Sequence, residues 1–412
     1  MTNSLDLPFV RNHFPALQDD FIFMDNAGGS QVLESVIDRT SEFFRHHYVQ
    51  LGASYEVSAR AGSLLEDTIA ELATFIHARN PKEIVVGPST TMLLRILSIC
   101  ISRQWRPGDE VIVTNSDHEA NVSCWTDLEQ NGIVIKTWKI NPETLRFELN
   151  DLRNLLTDRT RLVAMVHISN ILGTINPIKE VAALVHQAGS LFCVDGVAAA
   201  PHRLIDVQES DADFYAFSTY KIFGPHLGIL YGKLDLLLEM DGLNHYFFSK
   251  EDVPYKFQPG NVNFELTYSL GAIPAYFSRL HDHHFPEETS NDFRNKYRRS
   301  YSLIAGHEEQ LANQLIHYLE TKPPIRIIGE RSGSREVRVP TVSFVHDQLK
   351  SSEVVARADP YKIGIRYGDF YAKKIIQDLG LEEQDGVIRV SLAHYNTTEE
   401  VGKLIEVLEG IL

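Results

Sequence analysis

The stretch Phe214–Gly232, "FYAFSTYKIFGPHLGILYG", decides how the chain is read. Two apolar runs of strand character flank a short polar turn, Ser218-Thr219-Tyr220-Lys221, and Gly224 and Pro225 follow at once. A single amine set between hydroxyls, beside two strands that read as buried, needs a reason, because lysine is costly to bury unless something there uses it.

Outward from this turn, short apolar runs alternate with helical patterns. The strand-like runs are "EIVVG" from Glu83, "EVIVT" from Glu110, "IVIKTW" from Ile133, "RLVAMVH" from Arg161, "SLFCVD" from Ser190, "DFYAF" from Asp213 and "GILYG" from Gly228. Between them lie helical stretches such as "TTMLLRILSICISRQW" and "PIKEVAALVHQAG", the latter opening on Pro177 and closing on Gly189. Alternation of continuous apolar strands with helices predicts an α/β fold: a seven-stranded, mostly parallel sheet with helices on both faces. After about residue 280 comes a polar break, "HDHHFPEETSND", whose three histidines read as a solvated linker. A long helix, two strands ("TVSFV", "GVIRVSL") and a closing helix from Thr397 predict a smaller α+β C-terminal domain. The expected organisation is an N-terminal segment, 1–20, packing on the small domain, a large domain over 21–280 and a small one over 281–412.

With 412 residues, 43% of them hydrophobic, the chain can bury a large core. A net charge of −16 argues against nucleic acid or an anionic membrane as the main partner, so any bound anion must be held by local donors. No signal peptide and no apolar run of membrane length is read, and the three cysteines lack metal-type spacing; together these predict a cytoplasmic protein without a metal.

In a parallel sheet, ligands bind beyond the carboxyl ends of the strands. There the sequence places His118, His167, Asn170, Asp195, Ser218, Thr219 and Lys221, while Ser89, Thr90 and Thr91 open a helix whose free N–H groups suit a phosphate. An amine, a carboxylate, an imidazole, an amide and a phosphate cradle make joint sense for pyridoxal phosphate. The amine forms a Schiff base with its aldehyde, the carboxylate pairs with the ring nitrogen, and the imidazole can stack on the ring. Singly, each residue reads equally well as a cap or a turn residue.

These motifs, with "DNAGGS" at Asp25, "SDHEAN" at Ser116, "HISNILGT" at His167, "VDGVAAAPH" at Val194 and "IRVSLAHYNT" at Ile388, resemble the class V aminotransferases of the cysteine desulfurase-like group, which are fold-type I pyridoxal phosphate enzymes. The resemblance runs from about Phe21 to the C-terminus. It implies Lys221 as the Schiff-base lysine, Asp195 on the ring nitrogen and His118 on the ring face. It implies Thr90, Thr91 and Ser218 on the phosphate, Asn170 near the ring hydroxyl, and Arg389 as the guanidinium gripping the substrate carboxylate, with Arg366 as a second substrate-facing arginine. Ala27 and Gly28 match a segment that closes over that carboxylate. A homodimer with shared sites is implied, with Asn261 in "FQPGNVN" reaching the partner's phosphate.

Three departures bear on function. Ala198 in "DGVA" stands where the family has a glutamine, which should alter the proton affinity of the Schiff base. Tyr220 in "STYK" replaces a phosphate-binding histidine, a mild change because tyrosine still donates. Tyr371, in "IRYGDFYAKK", occupies the place of the desulfurases' persulfide cysteine, while Cys100, Cys124 and Cys193 read as small core residues. The leading expectation is therefore a carbon–sulfur lyase working by β-elimination on cysteine, cystine or a cysteine conjugate. Transamination and epimerisation are rivals within the same chemistry, and a non-catalytic pyridoxal phosphate-binding regulator is the alternative of another class.

Overall fold

The computed structural model describes residues 4–288 and 292–412. After a two-residue strand β1 (Ile22–Phe23), seven strands build one sheet: β2 (Ile84–Gly87), β3 (Glu110–Thr114), β4 (Val134–Trp138), β5 (Thr160–Val166), β6 (Leu191–Asp195), β7 (Phe214–Ser218) and β8 (Gly228–Gly232). Their order is β2-β8-β7-β6-β5-β3-β4, parallel throughout except for β8, which runs against both its neighbours. All seven coincide with the apolar runs of the sequence to within one or two residues.

The physical reason is two-sided burial. Successive strand residues point to opposite faces, and here they feed two separate cores. Ile112, Val163, Met165, Phe192, Val194, Tyr215 and Phe217 join one apolar cluster. Val111, Val113, Leu162, Ala164, Cys193, Phe214 and Ala216 join the other. Helix Thr90–Ser102 covers the second face, and helices Glu56–Ile76, Ile178–Gln187 and Ala272–His284 contribute to the first.

A second, antiparallel sheet is made of β9 (Ile325–Ile328), β10 (Thr341–His346), β12 (Arg366–Gly368) and β13 (Val387–Ser391), in the order β12-β13-β10-β9. Helices Phe293–Glu320 and Thr398–Glu409 share its apolar cluster. Strand β11 (Ile363–Gly364) pairs in parallel with β1 as a separate two-stranded sheet, and Asp25 bridges Ser391 of β13, which ties this segment to the C-terminal sheet.

The histidine-rich break is not a solvated linker. His281, His283 and His284 close the helix Ala272–His284, and two of them are buried. His283 stacks on Phe9 at 3.8 Å, and His284 Nε2 accepts the Asp6 N–H at 2.8 Å. The sequence pattern hid this because the partners lie some 280 positions away. Thr289, Ser290 and Asn291 of the same break, like residues 1–3, lie outside the described residues.

The N-terminal segment reaches both parts of the fold. Arg11 donates to the Tyr395 carbonyl at 2.9 Å and to Glu400 Oε1 at 2.8 Å, while buried Phe14 meets Phe223, Tyr276, His394 and Tyr395. Phe14→Ala should therefore cost about 3–5 kcal/mol, the range for emptying a packed aromatic site. Urea unfolding checks this; a loss below about 1 kcal/mol would show that the segment is not part of the core.

Candidate active site

Parallel register sets the site. Val166, Asp195 and Ala216 lie level on β5, β6 and β7, so the chain leaves these strands at one edge. A cavity at that edge is lined by Thr90, Thr91, His118, Asn170, Asp195, Ala198, Ser218, Tyr220 and Lys221, with Ala120, Val166, Ile168 and Val197 as its apolar wall.

Lys221 lies on the one-turn helix Thr219–Lys221 between β7 and β8 and is buried. Burial, reinforced by the Arg389 charge, pushes its amine down to about 8, and Asp195 and Asp25 oppose the shift. Asp195 accepts the Val197 N–H at 2.9 Å. Burial raises the pKa of its carboxyl against that bond and the Lys221 charge.

Beside Asp195 sits Asp117, which accepts from Thr114 Oγ1, from Asn121 Nδ2 at 2.6 Å and from the Val166 N–H at 3.0 Å. Burial pushes Asp117 up to about 7, with the Asp195 charge acting in the same direction. His118 Nδ1 accepts the Ala120 N–H at 3.0 Å, and burial, then Lys221 and Arg389, takes the imidazole down to about 4. The ring is therefore neutral at physiological pH, with its proton on Nε2.

At the other end of the cavity Thr90 and Ser218 hydroxyls meet at 2.7 Å. Ser89 is turned away: its hydroxyl caps the helix by accepting the Met92 N–H at 3.1 Å. A Cβ on Gly228 would lie 2.5 Å from Ser89 C and Thr90 N, so only glycine lets β8 run against this helix start. Tyr220 stacks on His226 at 4.7 Å, and burial raises its phenol.

A second cluster adjoins the cavity through Asn170. Buried Arg389 donates to Asp25 Oδ1 at 2.7 Å and to the Asn170 carbonyl at 3.2 Å, and its guanidinium lies 3.6 Å over the Phe370 ring. Arg366 stands 3.8 Å from Asp25 Oδ2. The Ala27 N–H donates to Ser391 Oγ at 2.9 Å and the Gly28 N–H to the Asp25 carbonyl at 2.9 Å. Asn261 belongs to neither cluster; it is exposed, 3.5 Å from Gln50 Oε1. Cys100, Cys124 and Cys193 are buried outside the cavity, and burial raises all three thiols, Cys100 to about 11.

Sequence reasoning assigned no role to Asp25, Asp117 or Phe370. Asp117 carried a readable signal, an acid directly after an apolar strand and next to His118. Asp25 opened a matched motif, but its pairing with Arg389, 364 positions away, left no trace in the local pattern.

The residues present fit pyridoxal phosphate. A buried amine and a buried carboxylate share one cavity, and the helix start and paired hydroxyls offer donors at its far end. Asn170 Oδ1, in the cavity wall, and Arg389 Nε beside it are buried without a partner and so can each bond a bound group.

The description "Aminotransferase class-V" matches residues 22–291 and 297–404. An aminotransferase-like protein of Gibberella zeae is 42% identical over the whole of both chains. A cysteine desulfurase-like protein of Aspergillus flavus is 34% identical over 100% of this chain and 92% of its own. The crystal structure of the Escherichia coli cysteine desulfurase CsdA superposes with a TM-score of 0.83 at 26% identity, covering 99% of this chain and 98% of that one.

In cofactor-free protein, cyanate should carbamylate Lys221 with a midpoint near pH 8, well below that of surface lysines. Asp195→Asn removes a charge that favours the ammonium, so the midpoint should fall further. Peptide mass analysis across pH reads both, and a wild-type midpoint near 10 would contradict the desolvation argument.

Proposed function

The chain belongs to the class-V aminotransferase family, and from that premise we propose that it performs β-elimination on an α-amino acid, as a carbon–sulfur lyase on cysteine, cystine or a cysteine conjugate. It is a pyridoxal phosphate-dependent enzyme acting on an amino-acid substrate. The observation that carries the finer reading is an intact amine and guanidinium beside a loop that presents a phenol. The Tyr371 ring lies 5.4 Å from the His118 ring, and Tyr371 is the residue that the sequence resemblance aligns with the desulfurases' thiol.

When bound, pyridoxal phosphate supplies an aldehyde for an amine and a ring that accepts the electron pair released from Cα. In this chain Asp195 would hold the ring nitrogen, His118 the ring face, and Thr90, Thr91, Ser218 and Tyr220 the phosphate. Lys221 Nζ takes the α-proton, and an amine held near 8 is neutral often enough near physiological pH to do so. Arg389 and Asn170 orient the carboxylate; a planar guanidinium suits this because it can bond both oxygens. Expulsion of a β-thiol needs nothing more from the protein, whereas storing sulfur needs an accessible thiolate, and the three cysteines are buried. Transamination is the second reading, favoured by the aminotransferase-like relative of Gibberella zeae.

Exposed aromatic residues such as Phe44, Tyr48, Tyr55, Tyr246 and Phe247 support a homodimer, and exposed Asn261 is free to face a partner's site. A cytoplasmic location is supported by free, buried cysteines. No helix among the described residues is long and apolar enough to cross a membrane.

Holoenzyme assayed across an amino-acid panel should release pyruvate and sulfide from cysteine-type substrates; keto acid with retained side chain would favour transamination, and absorbance indifferent to every amino acid would defeat both. Lys221→Ala should lower kcat by at least ~10²–10⁴-fold, the usual contribution of a positioned base. Arg389→Lys should raise KM by ~10–100-fold, as expected for loss of a charged hydrogen bond worth ~1.5–3 kcal/mol.

A further inference from the structure

We propose that Asp25 is the resting counter-ion of Arg389, a positioning residue that yields the guanidinium to the substrate carboxylate and passes to Arg366. The inference rests on the reading that Arg389 takes that carboxylate.

Charge arithmetic leads to it. Arg366 and Arg389 are direct cross-strand partners in the β12–β13 ladder. Like charges in that position repel unless an anion lies between them. The anion is Asp25, with Oδ1 2.7 Å from Arg389 NH2 and Oδ2 3.8 Å from Arg366 NH1. Among the described residues neither arginine has another ion pair. Two guanidiniums thus share one carboxylate, and one positive charge is left for a second anion.

The unused capacity points the same way. Arg389 spends NH2 on Asp25 and NH1 on the Asn170 carbonyl, leaving its buried Nε–H without a partner. An incoming carboxylate can take Nε together with NH2, the edge that suits two oxygens, only if Asp25 lets go. Arg366 can receive it: the Arg366 side chain is 58% exposed, Asp25 29% and Arg389 2%, so the exchange runs outward toward water. Gly28 leaves room for the carboxylate; a Cβ there would lie 2.8 Å from Asp25 Oδ2. With substrate bound, each guanidinium would own one carboxylate. Without it, Asp25 keeps a buried cation from standing unpaired.

The test uses holoenzyme and propionate, a carboxylate with no amine to react. Wild type, Asp25→Asn, Arg366→Gln and the double variant are titrated by calorimetry. Asp25→Asn should bind propionate ~10-fold tighter, about 1.4 kcal/mol, because nothing charged competes for Arg389. Arg366→Gln should bind it several-fold more weakly, since Asp25 then has no second cation to move to. In the double variant that weakening should vanish, leaving affinity within about twofold of Asp25→Asn, a non-additivity that marks coupling. Asp25→Asn should also lower KM for the amino-acid substrate, where a purely structural role would raise it. Gly28→Ala, which crowds the Asp25 carboxylate, should tighten propionate binding and serves if Asp25→Asn does not fold. Equal or weaker binding by Asp25→Asn, or an Arg366→Gln effect that survives in the double variant, overturns the proposal. Propionate that binds none of the four overturns it together with the role of Arg389. A cofactor absorbance unmoved by amino acids would defeat the functional reading alone, because the propionate titration needs no turnover.

Discussion

Removal of one lysine amine from water governs this site. Lys221 is carried into the interior by the turn between β7 and β8, and that turn is held by Thr219, whose hydroxyl accepts the Leu227 N–H at 3.3 Å and faces the Leu227 carbonyl at 3.1 Å. A buried ammonium is unfavourable unless charge around it compensates, and the surroundings balance narrowly. Asp195 and Asp25 favour the charged form, while burial and Arg389 oppose it. Asp117 adds to this balance: burial and the Asp195 charge push it up to about 7, so it is largely protonated through the acidic range. Two ionised carboxylates side by side in a buried site repel, which favours a proton on the pair, while the hydrogen bonds from Thr114, Asn121 and Val166 pull the other way by favouring ionised Asp117.

The part of this that sequence discloses is the part written in short-range pattern. The seven strands of the large sheet were legible because burial on both faces demands continuous apolar runs, and the strand ends then located Lys221, Asp195, His118 and Asn170 without knowledge of any contact. Strands β1, β11 and β12 were not legible: two or three residues long, they exist through pairing with partners far along the chain, Ile22 with Ile363 and Arg366 with Arg389. The same limit hid Asp25, whose significance is a distance to residue 389, and it turned His281, His283 and His284 into an apparent linker. Ser89 illustrates a different ambiguity. Helix caps and phosphate ligands draw on the same residue types at the same position, and only coordinates show that this hydroxyl is spent on Met92.

The loop bearing Tyr371 shows what the site asks of its surroundings. Phe370 and Tyr371 are consecutive non-glycine residues in the left-handed region, with φ of 51° and 59°. Such residues cost about 1–3 kcal/mol each when nothing compensates. Two hydrogen bonds from opposite sides hold them there: the Glu119 N–H donates to the Tyr371 carbonyl at 2.7 Å, and Asn170 Nδ2 to the Phe370 carbonyl at 3.0 Å. The strain has a return. It lays the Phe370 ring against the Arg389 guanidinium, shielding from water a cation that must stay orientable, and it brings the Tyr371 ring to the edge of His118. Asn170 donates to Phe370 with one amide atom and leaves its Oδ1 free, so this side chain is one link between loop and cavity, beside the Glu119–Tyr371 bond. A group that engaged Asn170 Oδ1 would meet the same side chain that holds the Phe370 carbonyl, the loop residue whose ring lies on Arg389.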